Sequence, residues 1–137
     1  MNLAGPLAGR RIGLLTASGS RLGGGVTEAV IAQAIMIRAM GGEAIVFALE
    51  DEHSAADSAR YAPSEIHFSP VLGPAQIGFA PDLIGQLLAA DLDCLHQQGI
   101  WMYPSRAGEM WARRTGKPLI ITQIGRASCR ERVYSSV

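Results

Sequence analysis

The 137-residue chain is short of several things, and each shortage closes a class of function. Two cysteines, Cys94 and Cys129, are too few for a disulfide framework or a four-cysteine zinc site, which makes a reducing compartment the default. Neither charge is in surplus: 12 basic residues balance 12 acidic ones, so the basic footprint of an electrostatic nucleic-acid binder is missing. No long apolar run exists. The richest helical stretch, Ala29 to Met40, is broken by Gln33 and Arg38 and falls short of the ~20 residues a spanning helix needs. Met1 to Pro6 lack a basic region followed by an apolar one, so no signal peptide is expected and the cytoplasm is the expected location. The histidines, His53, His67 and His96, are too scattered to suggest a metal site, and none is expected. Lysine occurs once, at Lys117, and this skew toward arginine has no mechanistic reading.

What is present suits one globular domain. Hydrophobic residues make up 48% and charged ones 18%, which is neither a disordered nor a coiled-coil composition. Arg11 to Ala17 reads as a buried first strand. A glycine-rich loop, Ser18 to Gly25, then leads into a helix to Met40, with Thr27 at its cap or just inside it, and Gly41-Gly42 ends it. Val30, Ile31, Ala34, Ile35 and Ile37 cover more than one face of that helix, so burial on most sides is expected. Strands are expected over Glu43–Leu49, Glu65–Ser69, Leu92–His96 and Lys117–Thr122. Glu50 to Pro63 reads as a loop with room for a short helix. Helices are expected from Pro81-Asp82, with Leu83, Ile84, Leu87 and Leu88 on one face, and from Pro104 to Gly116. Five strands of continuous apolar character separated mostly by helices predict an α/β fold: a Rossmann-like, doubly wound parallel sheet.

The character changes after Thr122. Residues 123–137 carry no sustained period and no caps, and the plain expectation is a disordered tail or a short helix. A sharper one exists: Ile124 to Val133 looks like the conceptual translation of a common short-read sequencing adapter joined in frame to a truncated gene. The domain would then be residues 1–122, incomplete, with 123–137 a non-native tail. Without Ile124–Val137, which hold three Arg and one Glu, the formal charge turns negative and Cys94 is the only cysteine left.

Two stretches carry chemistry. A strand, a glycine turn and a helix N-terminus form an anion site, because backbone N–H groups and the helix dipole both point at the ligand. Gly23, Gly24 and Gly25 match neither G-x-G-x-x-G nor the P-loop pattern, so an ordinary tight turn stands beside the anion site as an equal alternative. Glu50, at the end of the second expected strand, is where a dinucleotide domain places its ribose acid. The second stretch is Leu95 to Ser105. His96 falls at the expected strand end, where open α/β sheets bind ligands, and Trp101 and Tyr103 offer a stacking surface. A satisfied rim histidine and two covering aromatics are the plainer alternative. No G-x-S-x-G elbow is present, and Cys94 reads as a small buried hydrophobe.

Three segments together resemble the N-terminal domain of family 4 glycosyltransferases, retaining enzymes of GT-B architecture: Ser20 to Val30, His96 to Ser105, and Trp111 to Ile121. The resemblance covers roughly Arg11 to Thr122. It implies two facing Rossmann-like domains, of which this chain would supply the acceptor side and lack the donor-binding one. It further implies that Gly23, Gly24 and Gly25 lie against a donor diphosphate. His96 and Gln98 would stand at the catalytic positions, and Arg21, Trp101, Tyr103 and Arg106 near the acceptor. For both arginines a solvated surface role is the plainer reading. The substrates implied are a nucleotide-sugar donor, with no separate cofactor, and a saccharide or lipid-linked acceptor; peripheral membrane association is compatible with this. The chain departs from the family's His-x-His-Gly, reading His96-Gln97-Gln98-Gly99, and an amide at Gln98 cannot become cationic. On this expectation the fragment is inactive alone and exposes an apolar edge beyond its fifth strand. The alternatives are a dinucleotide-binding oxidoreductase domain and a non-catalytic Rossmann-like binding domain.

Overall fold

A computed structural model describes residues 5–100, 102–124 and 129–134. Strands β1 (Arg11–Ser18), β2 (Glu43–Leu49), β3 (Glu65–Ser69), β4 (Cys94–Gln98) and β5 (Leu119–Ile124) form a parallel sheet in the order β3-β2-β1-β4-β5. Helices α1 (Gly25–Ala39), α2 (Ser54–Asp57), α3 (Asp82–Ala89) and α4 (Met102–Thr115) connect them. The fold is α/β and Rossmann-like, with its strand order reversing between β1 and β4.

Period-two alternation in the strands sorts the core into two layers. Leu15, Ile45, Phe47, Leu95 and Leu119 face α3 and α4, which contribute Leu83, Leu87, Ala107 and Trp111. Leu14, Ala44 and Val46 face α1, which contributes Val30, Ala34 and Ile37, with Tyr61 closing that layer. Ile84 and Leu88 also pack on the first layer, as the spacing of α3 predicts.

Three expectations change. First, α1 is not buried on most sides: Ile35 and Met36 are 54% and 59% exposed, because only one flank of the helix meets the sheet. Second, β4 runs two residues later than its apolar pattern suggests. Leu92 is buried in the preceding turn, Asp93 accepts a hydrogen bond from Arg11 N–H, and the ladder continues through Gln97 and Gln98. Third, neither a disordered tail nor a short helix describes all of residues 123–137, because Cys129–Tyr134 forms a sixth strand, β6, antiparallel to β5. An edge strand offers a row of unpaired N–H and C=O groups, and backbone pairing to it needs no apolar alternation. The expected open edge beside β5 is therefore covered.

Among the described residues, no helix is long and apolar enough to cross a membrane.

Candidate functional site

The glycine loop stands where the sequence puts it, between the carboxyl end of β1 and α1. Ser20-Arg21-Leu22-Gly23 makes a single 3-10 turn, with Gly23 N–H donating to Ser20 O (3.0 Å) and Gly24 N–H to Arg21 O (3.2 Å). Thr27 lies inside α1 rather than at its cap. Its hydroxyl is 2.7 Å from Ser20 O and 3.2 Å from Ser18 O, tying the helix to the loop.

The three glycines do different things. A Cβ on Gly23 would come within 2.1 Å of Thr27 Oγ1 and 2.9 Å of Ser18 O, so Gly23 is required by packing. Gly24 has φ +54°, a backbone conformation that L side chains rarely adopt. Around Gly25 and Gly24 a Cβ would meet nothing within 4 Å. Gly24 caps α1 without any side-chain hydrogen bond, so the first turn of this 15-residue helix presents uncapped N–H groups on an open face.

Two aspartates from the β2–β3 connection fix the loop, in roles that carry no local sequence signal. Asp51 accepts from Ser20 Oγ (2.7 Å), and Asp57 accepts from Arg21 Nε, Nη2 and backbone N–H (2.8–3.0 Å). The Arg21 side-chain bond, then its backbone bond, holds the Asp57 carboxyl down at about 2. Arg21 is thus a loop anchor along one guanidinium edge, although its side chain stays more than half exposed. Tyr61 adds a third tie through its hydroxyl to Gly19 O, and burial pushes that phenol up to about 12.

The β4 residues are arranged differently from the expectation. His96 is the third of five strand residues, not a residue at the strand end, and its Nε2 meets Thr122 Oγ1 on β5. It faces the α1 side and lines a shallow groove with Ile12, Ile37, Met40, Cys94 and Ile120. Gln98 does end the strand on the same face. It is fully buried, and its amide pairs reciprocally with Gln33 of α1. Gln97, pointing to the opposite face, donates to Gly99 O and Ser105 Oγ. Burial raises the thiol of Cys94, which is only partly buried.

The proposed acceptor residues separate. Trp101 lies outside the described residues. Tyr103 packs edge-on against Phe79 (5.0 Å between ring centroids), and its N–H donates to Ile77 O, so it braces the 70–80 loop against α4. Arg106 is exposed on α4. Between the glycine loop and the start of α4 lies a cleft of about 290 Å³, lined by Ser18, Glu50, Asp51, Val71, Ile77 and Pro104 among others. It sits at the carboxyl ends of β1 and β2, the side of the sheet on which open α/β folds bind their ligands. Glu50 was visible in the sequence as a strand-end acid. The 70–80 loop that forms the other wall showed no signal beyond its prolines and glycines.

Comparison with protein-family models, curated proteins and solved structures finds no significant match to this chain.

Proposed function

We propose that this chain is the acceptor-side, N-terminal part of a retaining, cytoplasmic nucleotide-sugar glycosyltransferase acting on a saccharide or lipid-linked acceptor. The observation that carries the proposal is the uncapped start of α1 at Gly24-Gly25. Open backbone N–H groups at the carboxyl end of β1 suit a diphosphate, and the dipole of α1 adds to them. Within this proposal Gly24 and Gly25 contact phosphate, while Gly23, Arg21, Asp57 and Tyr61 hold the loop in shape. Glycosyl transfer needs donor and acceptor held together, so the chain alone is inactive. Residues 123–137 are, in the same proposal, translated adapter.

Independent sequencing of the DNA downstream of the Thr122 codon tests this. The expected result is a continuing frame that encodes a second Rossmann-like domain, with no sugar transfer by the purified 137-residue chain. A native stop codon after Val137, or robust turnover by this chain, overturns the proposal.

One observation favours a second reading. Glu50 reaches the cleft from the end of β2, as a ribose-binding acid does in dinucleotide domains. Tight NAD binding in a fluorescence titration would establish that reading in place of the first.

A further inference from the structure

The cleft beside the glycine loop has a construction of its own. The β1–β2 register slips between Thr16 and Ser18. Ala17 and Ser18, at this slip, both line the cleft. The far wall carries apolar Val71, Ile77 and Pro104, with Ile77 44% exposed and the exposed amide of Gln76 beside it. On the near side Glu50 is anchored by its N–H to Ser69 O (2.8 Å), while its exposed carboxylate makes no hydrogen bond or ion pair among the described residues. Asp51 beside it is immobilised, accepting from Ser20 Oγ and His53 N–H. Beneath them the Ser18 hydroxyl is buried and has no partner among the described residues, a state that costs a polar group its hydration without replacing it.

These features narrow the ligand. A volume near 290 Å³ lies at the small end of ligand sites and suits a single ring. Ionised carboxylates only accept hydrogen bonds, so the ligand must bring donors, and two adjacent carboxylates repel a phosphate or another acid. An apolar stretch of wall opposite an acceptor suits a molecule with a C–H face and a hydroxyl edge. We propose that this cleft binds a sugar ring by its vicinal hydroxyls, with Glu50 accepting from them and the ring face lying on Val71 and Ile77. The proposal rests on the glycosyltransferase reading only for the source of the ring, which is then an uncharged terminal sugar of the acceptor. A nucleoside ribose presents the same chemistry.

The test uses the whole 137-residue protein, ¹⁵N-labelled and titrated separately with methyl α-mannopyranoside and with adenosine. The expected result is saturable shifts of the Ser18, Glu50, Gln76, Ile77 and Gly78 amides with the glycoside. Glu50→Gln should weaken binding about tenfold, the loss of one charge-assisted hydrogen bond, with the rest of the spectrum unchanged. Ile77→Ala, which keeps the carboxylate, should weaken it severalfold through the lost ring contact. The same shifts with adenosine, equally sensitive to Glu50→Gln, uphold the site but assign the ring to a nucleotide and count against the acceptor. No cleft shifts with either ligand, or shifts indifferent to Glu50→Gln, overturn the proposal. The glycosyltransferase reading would still be decided by the downstream DNA.

Discussion

At the scale of single residues, the glycine loop is held by partners far away in sequence. Asp57 is the clearest. Its carboxyl is lowered from 3.8 to about 2 by Arg21, through the side-chain bond first and the backbone bond second. A depressed carboxyl contributes stability that is fully present above its unfolded value and is lost as pH falls toward the folded value. The contribution of Asp57 should therefore be intact at neutral pH and disappear between about pH 4 and pH 2. Arg21→Ala should raise the Asp57 carboxyl, followed by ¹³C NMR titration of the side chain. Its destabilisation relative to the parent should shrink as pH approaches 2; a deficit of constant size across that range would mean the ion pair is not its origin. Little of this was legible in the sequence. A triplet of glycines after an apolar run marks a strand–turn–helix, because only backbone freedom and close approach explain such a run. Arg21 and Asp57 are 36 residues apart, in stretches without a period, and nothing local couples them. The strand-end position expected of His96 shifts to mid-strand for a related reason: Leu92 is apolar because the turn before β4 buries it, and the strand itself ends in two glutamines.

At the scale of elements, the order of strands and helices follows from sequence pattern, and β2 and β3 fall on the expected residues. Continuous apolar runs bounded by turns are strong signals when both faces of a strand are covered. Helix burial was less legible. α1 carries apolar residues all round, yet a helix meets a sheet along one flank, so Thr27, Val30, Ala34 and Ile37 are buried while Ile35 and Met36 are not. The junction of β1 and α1 separates the glycines experimentally. Gly23→Ala forces a Cβ against Thr27 Oγ1 and Ser18 O, and overpacking of this kind costs about 1–3 kcal/mol. Gly24→Ala strains a positive-φ position, at about 1 kcal/mol. Gly25→Ala enters open space in the first turn and should leave stability nearly unchanged. Urea denaturation of the three variants should give that order. A Gly25→Ala loss as large as that of Gly23→Ala would show that the helix start is packed rather than open.

At the scale of the whole molecule, the question is whether the parallel sheet stands without its antiparallel edge. Residues from Leu7 to Ile121 pack in the two core layers, on the two faces of β3-β2-β1-β4-β5. β6 adds six paired positions along β5, from Leu119↔Tyr134 to Ile124↔Cys129. Backbone pairing at a sheet edge contributes little net free energy, because the same groups bond to water when released. Ending the chain after Ile124 should therefore cost only on the order of 1–2 kcal/mol, or about 5 °C in Tm, and leave a cooperative transition. The larger effect should be on association. β5 would become an open edge of six residues beginning Leu119-Ile120-Ile121, a template for pairing with another copy. Light scattering on the shortened chain should then show concentration-dependent growth in mass that the 137-residue chain lacks. If the shortened chain instead loses its cooperative transition and binds apolar dye, β6 is integral to the domain. Residues 123–137 would then have to be counted as part of the folding unit, and the translated-adapter assignment would lose its structural plausibility.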